Sequence, residues 1–131
     1  MGHIGYTPQF KSKFKLEGVS KKEAVKLLSE AKLIEKAGAF SIVLECIMPN
    51  TAKLITKNIK IPTIGIGASL FCDGQILVTD DMLGLSGFYP KFVKKYVNLT
   101  RIIEKAVKLY TREIKQEKFP SKKNTFKWKK I

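Results

Sequence analysis

The sequence predicts an α/β protein in which helices pack outside a parallel sheet. Two short segments, FSIVLECI at 40–47 and IPTIGIG at 61–67, are rich in β-branched residues and nearly continuous in apolar ones, the pattern of parallel strands covered on both faces. Segments of helical periodicity precede and separate them, and strand alternating with helix is the mark of right-handed βαβ units. The 131 residues are the length of about one domain, and an apolar fraction of 44% is ordinary for a globular core.

The first well-bounded element is a helix. Ser20 and Glu23 fit a capping box, in which the Ser side chain takes a backbone N–H three residues on and the Glu reaches back. Ala24, Leu27, Leu28, Ala31 and Ile34 then recur on one helical face, and Gly38 can adopt the left-handed conformation after the helix end. The strand at 40–47 follows, broken only by Glu45. Asn50 is expected to cap a short helix to about Thr56, the segment at 61–67 to form the next strand, and QILVT at 75–79 a third. A last helix over about 100–117 carries Ile102, Ile103, Ala106, Val107, Tyr110 and Ile114 on one face. Residues 1–117 are therefore expected to form the α/β body, and 118–131 a basic, loosely held tail. At the front, GHIGYTPQ at 2–9 reads as a strand end entering a loop, with one residue before it; a truncated or partial chain is the expectation.

Charge and composition narrow the function classes. A net charge of +14, from 25 Lys and Arg against 11 Asp and Glu, can mark a nucleic-acid binder. The basic residues are overwhelmingly Lys spread over helix faces and the tail, which favours a solvated basic surface over a nucleic-acid site. The apolar stretches are too short or too glycine-rich to cross a bilayer, which needs about 20 apolar residues, and MGHIGYTPQF has no secretory pattern. No membrane association and a cytoplasmic location are expected. Cys46 and Cys72 lie in separate segments without CxxC spacing and read as reduced. His3 is the only histidine, so a cysteine and histidine metal cluster has little support.

Four features can carry chemistry. Glu45 interrupts an apolar strand at its carboxyl end, where α/β folds place their active sites, and so can serve as a base; a buried Glu satisfied by an Arg or a backbone donor would look the same. His3 lies among glycines at a presumed strand end and can donate a hydrogen bond to a substrate carboxylate or carbonyl, or be a surface histidine. The run GIGAS at 65–69 can present backbone N–H groups to an anion at a helix N-terminus, although tight packing explains its glycines as well. Asp73, Asp80 and Asp81 flank the third segment; paired carboxylates there can hold a divalent cation, but as turn and cap residues they need no such role.

Six ordered motifs then coincide: GHIGYTPQ at 2–9, AGAFSIVLEC at 37–46, IPTIGIGA at 61–68, CDGQILV at 72–78, DMLGL at 81–85 and PKFVKKY at 90–96. With them the chain resembles the C-terminal half of the ketopantoate (3-methyl-2-oxobutanoate) hydroxymethyltransferases, over about residues 1–126. The resemblance implies a partial (β/α)8 TIM barrel of the phosphoenolpyruvate/pyruvate-like type, running from the end of strand five to strand eight. It implies a cytoplasmic homo-oligomer of pantothenate biosynthesis that moves a hydroxymethyl group from 5,10-methylenetetrahydrofolate to 3-methyl-2-oxobutanoate, giving 2-dehydropantoate. It further implies a Mg2+ ion on the 2-oxo acid, Glu45 as the base that removes the C3 proton, and His3 as a contact to the oxo acid.

The family's metal-binding residues fall in the half that this chain lacks, so no metal ligand is assigned and the chain alone is expected to be inactive. KLEG at 15–18 only superficially echoes the family's metal motif, and Glu17 is not given that role. Ser69 where Gly is common, Met48 before Pro49, and Asp80 where His is frequent are departures that bear on folate and loop contacts. The alternative function is a non-catalytic basic module that binds RNA or another anionic partner through its tail, with Phe126 and Trp128 stacking on bases. A half-barrel that pairs with itself through its open strand edges is a further expectation.

Overall fold

The computed structural model describes residues 1–10 and 14–126. It divides into two compact units, Met1–Val78 with Pro90–Val93, and Thr79–Tyr89 with Lys94–Ile131. The first unit holds a sheet of four parallel strands that neighbour one another in chain order: β1 (Gly2–Gly5), β2 (Ile42–Glu45), β3 (Thr63–Ile66) and β4 (Gly74–Gln75). Helix α1 (Lys21–Lys36) connects β1 to β2, and α2 (Pro49–Asn58) connects β2 to β3.

Helix α1 begins and ends as its sequence predicts. Ser20 Oγ accepts from the Glu23 N–H at 3.2 Å, and the Glu23 carboxylate accepts from Ser20 and Val19. Those backbone bonds hold the Glu23 carboxyl below its usual range. Past the C-terminus Gly38 takes φ +89°, the left-handed turn that glycine adopts without a steric penalty. Helix α2 departs from the expectation. Pro49, not Asn50, opens it, and Met48 is its N-cap with no side-chain hydrogen bond. A proline at the first helical position has no N–H to leave unsatisfied and a φ already suited to the helix; Asn50 therefore lies inside the first turn, and the helix runs on to Asn58.

The third strand is also shorter than QILVT suggests. Only Gly74–Gln75 pair with β3; one further bond, Ile76 N–H to the Gly65 carbonyl at 3.0 Å, ends the ladder. Thr79 then opens helix α3 (Thr79–Leu83), whose first turn contains Asp80 and Asp81. Acids there complement the partial positive charge of a helix N-terminus, which competes with the strand propensity of Val78 and Thr79.

The core lies on one face of the sheet. Ile4, Ile42 and Leu44 cluster there with Leu27 and Ala31 of α1 and with Ala52 and Ile55 of α2. Side chains alternate along a strand, so the opposite face carries His3, Val43, Glu45, Ile64 and Ile66. A sheet wound in one direction, with its helices on one face, differs from a doubly wound sheet, whose strand order reverses; it is consistent with a segment of a barrel-like α/β enzyme.

Within this unit the start of β3 is tied down by Asp73. Its Oδ2 accepts from the N–H of the fully buried Thr63 at 2.8 Å and from the Thr63 hydroxyl at 2.9 Å. Glu35 of α1 similarly accepts from the N–H groups of Lys60 and Ile61, the latter at 3.2 Å, in the link between α2 and β3.

The second unit holds α3 and α4 (Leu99–Lys115), with Asn98 as N-cap accepting from the Arg101 N–H at 3.2 Å. Thr100 donates to the Gly84 carbonyl at 2.7 Å, tying the start of α4 to the end of α3. The predicted apolar stripe of α4 is formed, yet none of the helix's residues is buried and Ile102, Ile103, Val107, Tyr110 and Ile114 are exposed. Residues 118–126 are exposed as well, while Trp128 lies outside the described residues. Among the described residues no helix is long and apolar enough to cross a membrane.

The bonds from Thr63 hold the Asp73 carboxyl below its usual range. A depressed carboxylate contributes stability that is present above its unfolded-state value, about 3.9, and is lost as pH falls through the native value. Asp73→Asn is therefore expected to be less stable near neutrality by about 1 kcal/mol, with the gap closing as urea melts are taken down toward pH 3. A gap independent of pH would contradict this role.

Candidate active site

Glu45 is the last residue of β2, and its backbone is held from both neighbours. The Tyr6 N–H donates to the Glu45 carbonyl at 2.9 Å, and the next residue's N–H, at Cys46, donates to the Ile66 carbonyl at 2.9 Å. Cys46 then takes φ +51° and turns the chain out of the strand. On the β1 side the close approach requires a glycine. Gly5 has φ +94°, and a Cβ there would lie 2.1 Å from the Glu45 carbonyl oxygen.

The connection from β1 to α1 is laced to the connection from β2 to α2 just beyond this point. Glu17 N–H donates to the Cys46 carbonyl at 2.9 Å, and Met48 N–H returns to the Glu17 carbonyl at 2.8 Å. Thr51 of α2 donates to the Gly18 carbonyl at 2.7 Å. The carboxyl end of β2 is thus fixed by backbone bonds on three sides.

His3 and Glu45 come together through register. In the parallel pair His3 stands opposite Val43 and Gly5 opposite Glu45, and residues two apart on a strand share a face. The two side chains therefore lie on the same face, one step apart along adjacent strands. His3 Nε2 is 2.9 Å from Glu45 Oε2, with side-chain exposures of 33% and 17%. The distance is that of an ion pair, but the contact lacks hydrogen-bond alignment: Nε2 is buried with no aligned partner. A half-buried imidazole beside a carboxylate at a strand's carboxyl end is suited to moving or holding a proton on a bound molecule.

The other expected positions do not join this pair. After β3 the GIGAS segment enters turns rather than a helix, so it offers no helix N-terminus to an anion. Its glycines serve packing: a Cβ on Gly67, which has φ +62°, would lie 2.4 Å from the Phe92 ring, and one on Gly65 would lie 2.8 Å from the Gln75 side chain. Asp73 is committed to Thr63, and Asp80 and Asp81 belong to the first turn of α3, so each holds a turn or helix-start position. Among the described residues no group of three or more His, Cys, Asp or Glu side chains could hold a metal ion.

Cys46 and Cys72 are free and buried, as their spacing suggests. Burial pushes both thiols up, and the carboxylates of Glu45 and Glu17 push Cys46 further in the same direction. A feature not legible in the sequence is a row of three aromatic rings. Tyr6 and Phe14 lie with ring centroids 5.0 Å apart, and Phe14 stacks on Phe92 at 5.9 Å.

Comparison with known proteins gives a consistent result. The family profile described as ketopantoate hydroxymethyltransferase matches residues 1–122. A 3-methyl-2-oxobutanoate hydroxymethyltransferase of Clostridium botulinum (strain 657 / Type Ba4) is 53% identical over 131 residues, covering 97% of this chain and 48% of the relative. The protein of the same name from Pseudothermotoga lettingae is 52% identical, covering 97% and 49%. That of Francisella tularensis subsp. tularensis (strain FSC 198) is 52% identical over 130 residues, covering 96% and 49%. The chain spans about half the length of the curated relatives it matches.

Gly5→Ala tests the backbone frame of the site. The clash with the Glu45 carbonyl and the left-handed φ are expected to lower stability by about 2 kcal/mol or more in urea unfolding. A loss within about 0.5 kcal/mol, the range of an ordinary surface substitution, would show that Gly5 does not set the approach of β1 to β2.

Proposed function

The chain belongs to the ketopantoate hydroxymethyltransferase family, and on that premise we propose that Glu45 is the base of a hydroxymethyl transfer to 3-methyl-2-oxobutanoate. The observation that carries the reading is the 2.9 Å contact between His3 and Glu45 at the carboxyl ends of β1 and β2. The sheet is the segment of a (β/α)8 barrel from the end of strand five to strand eight, and its helix-free face is the barrel interior. On that face the pair meets substrate entering from the carboxyl ends of the strands, where barrel enzymes do their chemistry.

The C3 proton of a 2-oxo acid is acidified by the adjacent carbonyl. The Glu45 carboxylate takes that proton, and the resulting enolate carbon attacks the one-carbon unit of 5,10-methylenetetrahydrofolate; with water, the products are 2-dehydropantoate and tetrahydrofolate. His3 Nε2, lacking an aligned partner, turns toward an oxygen of the oxo acid and orients it against Glu45. The described residues supply no side-chain set that fits Mg2+. The Mg2+ implied by the resemblance takes its ligands from outside them, and the chain alone is inactive. The working enzyme is a cytoplasmic homo-oligomer. The relatives lend no support to the RNA-binding alternative.

The test is exchange of the C3 proton of 3-methyl-2-oxobutanoate with deuterated water, followed by NMR in the whole enzyme that contains this chain. Glu45→Gln is expected to slow exchange by about 10² to 10⁴, the usual contribution of a general base. His3→Asn is expected to raise KM for the oxo acid more than it lowers kcat. Exchange at the unaltered rate in Glu45→Gln would overturn the assignment.

A further inference from the structure

We infer that two copies of this chain close into one eight-stranded barrel, in which β4 of each copy pairs in parallel with β1 of the other. Among the described residues β1 pairs with β2 alone and β4 with β3 alone, so the sheet ends in two edges that another strand can extend. The backbone groups available there can be named. The Gly2 and Tyr6 N–H groups donate to Ser41 and Glu45 on the β2 side, and the Ile76 N–H donates to Gly65 on the β3 side. Successive residues of a strand turn their backbone groups to opposite neighbours, so His3 on β1 and Gln75 on β4 turn theirs outward.

The form of the sheet selects a second copy as the occupant. All four strands are parallel and neighbour one another in chain order, and α1 and α2 pack on one face. A strand that continues the sheet past β4 must run in the same sense with its helices on the same face, and β1 of a second copy does both. Eight strands close a sheet into a barrel whose interior is filled by side chains. Four strands are half of that number, so the two-fold operation that forms one β4 to β1 junction forms the other as well and leaves no edge. Ile76, 49% exposed and next to Gln75, alternates onto the helix-free face and is covered as part of that interior. Closure also completes the site: the His3 side chain, 33% exposed on an edge strand, gains the wall that one copy lacks. The pairing rests on the reading above that the sheet is a segment of a (β/α)8 barrel.

The experiment is sedimentation equilibrium of the full 131-residue chain, which carries a net charge of +14, in about 0.15 M salt, where screening limits repulsion between copies to about 8 Å. The expected mass is twice the 14.8 kDa of the chain. Ile76→Lys places a charge in the closed interior, although the side chain is half exposed in one copy; it is expected to weaken the dimer by about tenfold or more with an unchanged circular dichroism spectrum. His3 is the only histidine, and on dilution of the unaltered chain its ring signals are expected to shift in step with dissociation. That second readout needs no variant, so it stands even where Ile76→Lys does not fold. A monomer at every concentration, a dimer kept in a folded Ile76→Lys, or His3 signals indifferent to dissociation would overturn the inference. None of these outcomes touches proton exchange at Glu45 in the whole enzyme, so a failure here is separable from a failure of the catalytic assignment.

Discussion

The parallel register of β1 against β2 is the constraint on which the site depends. It sets Gly5 opposite Glu45, and the absence of a side chain at Gly5 lets the two strands close at their carboxyl ends. A Cβ there would collide with the Glu45 carbonyl oxygen. The same register puts His3 one step back on the same face, within reach of the Glu45 carboxylate. A slip of one residue would turn His3 to the helix side of the sheet, where Ile4, Ile42 and Leu44 pack.

The helices enforce that register from behind. Leu27 and Ala31 of α1 and Ala52 and Ile55 of α2 meet the Ile4, Ile42 and Leu44 face, and burying those side chains is worth roughly 1.5–3 kcal/mol for each large aliphatic one. The polar pair is left to the opposite face, away from the core. Backbone bonds through Glu17, Cys46 and Met48 then tie together the two connections that leave the strands, so Glu45 sits at the end of a strand fixed on both sides.

Much of this was legible in the sequence, and the exceptions have physical causes. Helix α1 was readable to its caps because capping is local: Ser20, Glu23 and Gly38 carry it within a few residues. Glu45 stood out because a carboxylate in an apolar strand demands a reason. The start of α2 was misread because Asn50 is a good cap residue, whereas Pro49 beside it settles the first turn through its fixed φ. QILVT has strand composition, but pairing partners for Ile76 onward are a property of the sheet rather than of the segment. The apolar stripe of α4 was visible in its periodicity, while its exposure was not, since periodicity reports which face is apolar and not what covers it. Neither the His3 contact nor the aromatic row could be read, because both join residues brought together only by the fold.

His3 is the only histidine in the chain, so its imidazole protons can be identified in an NMR spectrum without ambiguity. The most direct measurement is the nuclear Overhauser effect between the His3 ring and the Glu45 side chain. The register described here predicts a cross-peak between the His3 ring and the Glu45 methylenes. A well-dispersed spectrum in which the His3 ring shows contacts to other side chains and none to Glu45 would contradict it.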